Sequence, residues 1–194
     1  MGRNFASLLF TDRVKAEQER IGSRASYARV ERDGPDDARL TEREAAFIAA
    51  RDGFYMASIS ASGWPYIQHR GGPPGFVRIL DARTIAFADF RGNRQHISVG
   101  NLAEDDRVAL FFMDYANARR LKLIGHARVI DELDDPGLVE ALAVPDYPAR
   151  AERAVAIRIA GYDWNCPQHI TRRFSEAEIN ALLADAEASS LASR

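Results

Sequence analysis

The sequence predicts a mainly antiparallel β-barrel with flanking helices, and three observations carry that expectation. Between residues 54 and 165 the apolar residues fall largely into short runs, several of them alternating, separated by turn residues, which is the signature of strands. These runs follow one another in hairpin-like succession and do not alternate with long helices, as a doubly wound sheet would require. Two capping boxes, Thr41-Glu42-Arg43-Glu44 and Ser175-Glu176-Ala177-Glu178, place helices on either side of the strand-rich stretch.

In chain order, residues 1–40 are polar and weakly periodic, with a strong turn at Asp33-Gly34-Pro35-Asp36. They read as an N-terminal arm with one helix near 12–21, ahead of a domain spanning 41–194. The helix opened by Thr41 stops at Gly53. Strands are expected at 54–60, 65–70, 76–80 and 84–90, the last two forming a hairpin around 81–83. A short helix over 94–103 carries Ile97, Val99 and Leu102 on one face, with Asn93 as its N-cap. The nearly continuous apolar run "RVALFFMD" (107–114) predicts a central strand buried on both faces. The strand over 120–131 contains Gly125, expected at a bulge or bend. A helix near 135–143, a last strand over 153–165 and the helix opened by Ser175 complete the chain.

At 194 residues, 46% hydrophobic and 28% charged, the chain is long enough to bury a core without staples. Its formal net charge of −2 gives no bulk reason to expect nucleic acid or an anionic membrane as a partner. Cys166 is the one cysteine, so no intrachain disulfide forms. The opening run "FASLLF" lacks the form of a signal peptide, and no apolar run has the length of a membrane span. The expectation is a cytoplasmic protein.

The chemistry concentrates at "RGNRQHIS" (91–98), a strand-to-helix corner rich in guanidinium and amide groups. Free N–H groups at a helix N-terminus favour anions. A cation such as Arg94 in a first helical turn is unfavourable unless it meets negative charge. Arg78 lies one strand earlier in the same hairpin, and two guanidiniums beside helix amides suit a phosphate monoester. The alternative is that Arg78 and Arg94 are solvated charges paired with Asp81, Asp89 or Glu104.

From about Phe54 to Asp131 the chain resembles the FMN-binding split-barrel family that includes pyridoxamine 5′-phosphate oxidases. The segments that carry the resemblance are "GFVRIL", "TIAFADFRGNRQHISVGNL" and "RVALFFMDYANARRLKLIGHARV". "GGPPGFVRILD", "GNRQHISVGNL", "RRLKLIGHARV" and "NCPQHI" are similar to a subgroup of predicted flavin-nucleotide-binding proteins. The resemblance implies a six-stranded antiparallel split barrel that binds FMN across a twofold homodimer. Carried over residue by residue, it assigns the phosphate to Arg78, Asn93, Arg94 and Gln95. Ala88 and Asp89 would lie along the ribityl chain and ring, and Arg119 or Arg120 would approach the isoalloxazine. It also implies an oxidoreductase acting on a small-molecule substrate. The chain lacks the Arg-, His- and Trp-rich C-terminal segment with which the oxidase grips its substrate, so vitamin B6 oxidation does not carry over.

Trp64, Tyr66, His69 and Arg70 flank the glycine-rich loop at Gly71-Gly72, which either turns the chain or lies over a ligand. A catalytic pair of Cys166 and His169 stays open, but their three-residue spacing, interrupted by Pro167, does not bring the side chains together. There is no zinc spacing, so a pocket wall or dimer contact is expected there, and no metal site. His96 and His126 are expected on a helix face and a strand face. Haem held by His69, His96, His126 or His169, a deazaflavin in place of FMN, and a flavin carrier or sensor without turnover stay open as alternatives.

Overall fold

The structure, a computed structural model, describes residues 1–164 and 168–192. Asn165, Cys166 and Pro167 lie outside the described residues, so the expectation for Cys166 is not addressed by it. Four helices come first: α1 (Arg3–Leu9), α2 (Asp12–Arg20), α3 (Arg24–Asp33) and α4 (Glu42–Ala49). Strands β1 (Gly53–Ile59), β2 (Pro65–Gly71), β3 (Val77–Asp81) and β4 (Thr84–Phe90) follow, then α5 (Ile97–Glu104). β5 (Arg107–Asp114), β6 (Arg119–Asp131), α6 (Pro136–Leu142), β7 (Ala151–Trp164) and α7 (Glu176–Ala192) complete the order.

The strands form one antiparallel sheet in the order β2-β1-β5-β6-β7-β4-β3, curled into an open barrel. Seven strands are present where six were expected. β2 and β3, on the two sides of the split, each make a full ladder with a single neighbour, so both survive as edge strands. β7 is long enough to pair with β4 through its first half and with β6 along its length.

Alternation places one face of each strand in the barrel. Phe54 and Met56 of β1, Val108, Leu110 and Phe112 of β5, and Leu121 and Leu123 of β6 are buried in one core with Ile85 and Phe87 of β4. At its centre Phe54 stacks on Phe112 at 4.7 Å between centroids and meets Phe87 edge-on at 5.2 Å. β4 is covered on its second face too: Ala86 and Ala88 lie under Val139 and Leu142 of α6. β5 differs from the expectation. Its pattern is alternating, and Ala109, Phe111 and Met113 on the outer face lack the full cover that a doubly buried strand would have.

The N-terminal arm is more ordered than its polarity suggested. α1 buries Phe5 and Ala6 against β7, where Gly161 leaves the room: a Cβ there would lie 2.8 Å from the Phe5 backbone nitrogen. The Asp37 carboxylate accepts from the Asn4 and Phe5 N–H groups at 2.8 and 3.0 Å, satisfying donors of the first turn. α2 coincides with the expected helix, and α3 is held by ion pairs from Arg24 and Lys15 to Glu31. No helix among the described residues is long and apolar enough to cross a membrane.

Gly125 sits at a register shift between β6 and β7, as expected, and the reason is steric. A Cβ at this position would lie 2.4 Å from the Arg158 carbonyl oxygen. Gly125→Ala should therefore force the two longest strands apart and cost about 1–3 kcal/mol, as overpacking does. Urea unfolding should show a lower midpoint with an unchanged slope.

Candidate functional site

The corner after β4 is built differently from a simple helix start. α5 begins at Ile97, not at 94, and its N-cap is His96. Arg94 (φ 61) and His96 (φ 53) both adopt the left-handed conformation, which costs a non-glycine residue roughly 1–2 kcal/mol. Asn93 is not the N-cap; its Oδ1 accepts the Gln95 backbone N–H at 3.2 Å, tightening the turn before the helix. Arg94 therefore stands in a strained turn ahead of α5, and the helix-dipole argument for its position lapses. Strain of this kind concentrates where structure is held for function.

α5 is fixed against the barrel by two side-chain hydrogen bonds. Ser98 Oγ donates to Gln68 Oε1 of β2 at 2.9 Å, and Asn101 Nδ2 donates to Ser58 Oγ of β1 at 3.0 Å. Ser58, Ser98 and Asn101 are all buried, so these bonds set the helix in one position. Between α5, β2 and the corner lies a cleft of about 240 Å³, lined by Gln68, Arg70, Asp89, Asn93, Arg94, His96 and Ser98 among others.

An ion pair forms part of the cleft wall. Arg70 Nη1 lies 2.5 Å from Asp89 Oδ1, and the two side chains are only 13% and 12% exposed. The Arg70 guanidinium also lies 5.8 Å from the Phe87 ring centroid, while its Nε is buried without a hydrogen-bond partner. Glu152, the second acid at the cleft, is 3.6 Å from Arg91. Both carboxylates are thus matched by other arginines. Among the described residues the Arg94 and Arg78 guanidiniums have no ion-pair partner, so pairing with Asp81, Asp89 or Glu104 does not account for them.

The expected residues divide into three groups. Asp89, Asn93 and Arg94 line the cleft together; Gln95 follows them and is exposed. Arg78 and Ala88 are on the opposite face of the hairpin. Arg78 pairs in register with Ala86, which like Ala88 faces α6, and its Nη1 is turned back toward Gly75. Arg119 and Arg120 begin β6. Leu121 pairs with Phe112, Phe112 with Phe54 and Phe54 with Arg70, so three strand spacings, about 15 Å, separate the start of β6 from the cleft across the sheet. Arg70, expected beside the glycine-rich loop and not among the phosphate residues, lines the cleft. The alternation of "PYIQHRG" puts it on one face with Gln68, but its partner Asp89 lies across the split.

At the start of β6 Arg119 lies 5.2 Å from the Phe47 ring and 5.0 Å from the Trp164 ring, and Arg43 lies 4.3 Å from Trp164. Trp164 Nε1 donates to Glu44 Oε1 at 2.5 Å, and Glu44 Oε2 accepts from the Thr41 N–H at 3.1 Å within the capping box. Burial pushes the Glu44 carboxyl up, but its donors from Thr41, Trp164 and Tyr162 outweigh this and hold it below the usual range. Burial, then the Glu44 charge, pushes the Tyr162 hydroxyl up to about 12. Of the histidines, His96 lines the cleft, with Nδ1 3.4 Å from Arg153 Nη1. His69 packs against Tyr55 on the outer face, and His126 Nδ1 is 2.8 Å from Asp106. No group of metal-ligating side chains is found among the described residues.

The sheet order and the split between β2 and β3 define the class of open antiparallel barrels. The model of the pyridoxamine 5′-phosphate oxidase family matches residues 40–161, more than half of the chain, and the chain belongs to that family. A solved structure described as a candidate pyridoxamine 5′-phosphate oxidase from Lactobacillus delbrueckii aligns with a TM-score of 0.51 and 20% identity, covering 66% of this chain and 96% of its own. A single-residue variant of HupZ from Group A Streptococcus aligns at 0.51 with 14% identity, over 65% of this chain and 99% of its own. At these identities the likeness is one of fold. No curated protein matches the chain in sequence.

The buried charges make two variants informative. Asp89→Ala strands Arg70 without a counter-charge and should cost about 3 kcal/mol, whereas Asp89→Asn, which keeps an acceptor, should cost less; denaturant unfolding of both proteins measures the difference. Glu44→Gln should cost about 1–3 kcal/mol at neutral pH. Because folding lowers the Glu44 pKa, its contribution is complete above the unfolded value of 4.5 and is lost as pH falls below it. The gap between wild type and Glu44→Gln should therefore narrow in unfolding curves recorded at about pH 3.

Proposed function

We propose that the chain is an FMN-binding flavoprotein, an oxidoreductase acting on a small organic substrate as a cytoplasmic homodimer. The observation that carries this reading is the cleft after β4, where Arg94 has no ion-pair partner among the described residues while both acids are paired. The donors present fit a phosphate monoester: the Arg94 guanidinium, the Asn93 and Gln95 amides, and the buried Arg70 Nε, which is already an unanswered donor. Arg78 lies on the other face of the hairpin, so in this reading the phosphate of this cleft is held without it.

When bound, FMN supplies a ring that accepts and returns two electrons. The chain's own residues supply position and charge. Asp89 and Ala88 border the path from the phosphate into the barrel mouth, and Ser98 holds Gln68 in place along it. In this reading Arg119 or Arg120 approaches the ring of a flavin bound across the two subunits, where a fixed cation favours negative charge on the reduced ring. The outer face of β2, β1 and β5, with Ile67, Tyr55 and Phe111 uncovered, is the surface for that pairing.

The test is to purify the protein, record its visible spectrum and identify the released cofactor by mass, which separates FMN from a deazaflavin or haem. Arg94→Ala should weaken FMN about 10- to 100-fold, the worth of one charge-assisted contact, and leave riboflavin nearly unaffected. Equal losses for both ligands, measured by fluorescence titration, would remove the phosphate assignment.

A further inference from the structure

Two apolar surfaces of this chain have no cover within its described residues. The first is α7. Its described side chains are all exposed, yet Ile179, Leu182 and Leu183 fall at the spacing of a single helical face, 46%, 56% and 58% exposed. A helix stripe of this kind is stable when it is buried against something. The second is the outer sheet face, where a groove of about 680 Å³ is lined by Leu9, Tyr55, Ile67, Phe111, Tyr115 and Ile124. Ile67 there is 65% exposed. The run "RVALFFMD" is apolar on both faces, and the outer one is left over after the barrel is filled.

We propose that α7 of each subunit seats its Ile179-Leu182-Leu183 stripe in this groove of the partner subunit. The inference rests on the dimer reading above and adds which segment makes the contact. Two features select α7 as the occupant. The helix leaves the chain at the rim of the groove: Arg173 lies 5.2 Å from the ring of Tyr115, itself a groove residue. Its described side chains are all exposed, so its stripe is not seated in its own groove. In a twofold pair the exchange occurs twice, covering both surfaces on both chains.

The experiment compares the full chain with a chain lacking residues 175–194 and with the Leu182→Glu/Leu183→Glu variant, by sedimentation across a concentration series. Both changes should raise the dimer dissociation constant at least about tenfold, given the apolar area removed. Circular dichroism melting should leave the barrel folded, since the described side chains of α7 are all exposed. A cysteine assay identifies the occupant. In a Cys166→Ser background, chains carrying Ile67→Cys mixed with chains carrying Leu183→Cys should form a disulfide-linked heterodimer under mild oxidation. A dimer of unchanged affinity without α7 would overturn the proposal and leave the dimer reading standing. A full chain that stays monomeric at every concentration would sink both, without touching the flavin assignment. Cross-linking within one chain carrying both cysteines, or between two Leu183→Cys chains, would overturn it in favour of self-docking or helix-to-helix pairing.

Discussion

The ion pair between Arg70 and Asp89 joins the two sides of an open sheet. β2 ends the hydrogen-bonded order on one side, and β4 stands next to the end on the other, so no backbone ladder can connect them. Curling the sheet brings these strands together, and what meets there are two side chains, 2.5 Å apart and nearly buried. The α5 contacts act on the same gap, tying the helix to β2 through Ser98 and to β1 through Asn101. A barrel closed by a ladder has no mouth on its side. One closed by polar side chains has a mouth lined with donors and acceptors, and the cleft is a direct result of closing the sheet in this way.

The strained corner belongs to the same arrangement. α5 must cross from the end of β4 to lie against β1 and β2, and the turn that aims it passes through Arg94 and His96 in the left-handed region. Glycine would relieve that strain but carries no side chain. Keeping Arg94 there sets a guanidinium at the lip of the cleft with its approach fixed by the backbone, which reduces the entropy that a flexible arginine would lose on binding an anion. The local cost of roughly 1–2 kcal/mol per residue is small beside the packing of α5 that enforces it.

Much of this was legible in the residues. The capping boxes at Thr41 and Ser175 marked α4 and α7, because a capping box is a local bargain between residues three apart. The strand runs fell within about two residues of their observed bounds, since alternation is also local. α1 was not legible as a helix. Its apolar run "FASLLF" is short, and it forms because Asp37, over thirty residues away, caps it while Gly161 makes room for it. The start of α5 was misplaced for a similar reason: positive φ at arginine and histidine is imposed by the surroundings, and propensity favours the opposite. Arg70 was legible as a neighbour of the glycine-rich loop, but its pairing with Asp89 was not, because that partner lies across the split. Arg78 drew attention as a near neighbour in sequence, but strand alternation places it on the other face of the hairpin from Arg94's cleft.

The outer face of β5 shows how far a sequence pattern can be trusted and where it needs a second chain. An apolar run without alternation was read as a strand with both faces buried. In one subunit only the inner face is fully covered, which looks like a failure of the rule. The rule concerns removal of apolar area from water and is indifferent to which chain does the covering. β4, with the same character, is covered from within by α6; β5 has no such helix on its outer side among the described residues, and α7, with its unburied stripe, begins at the edge of that surface. A monomer would leave both exposed beside a well-packed barrel core. In the proposed dimer the composition of β5 is information about assembly, carried in the same pattern that specifies the fold.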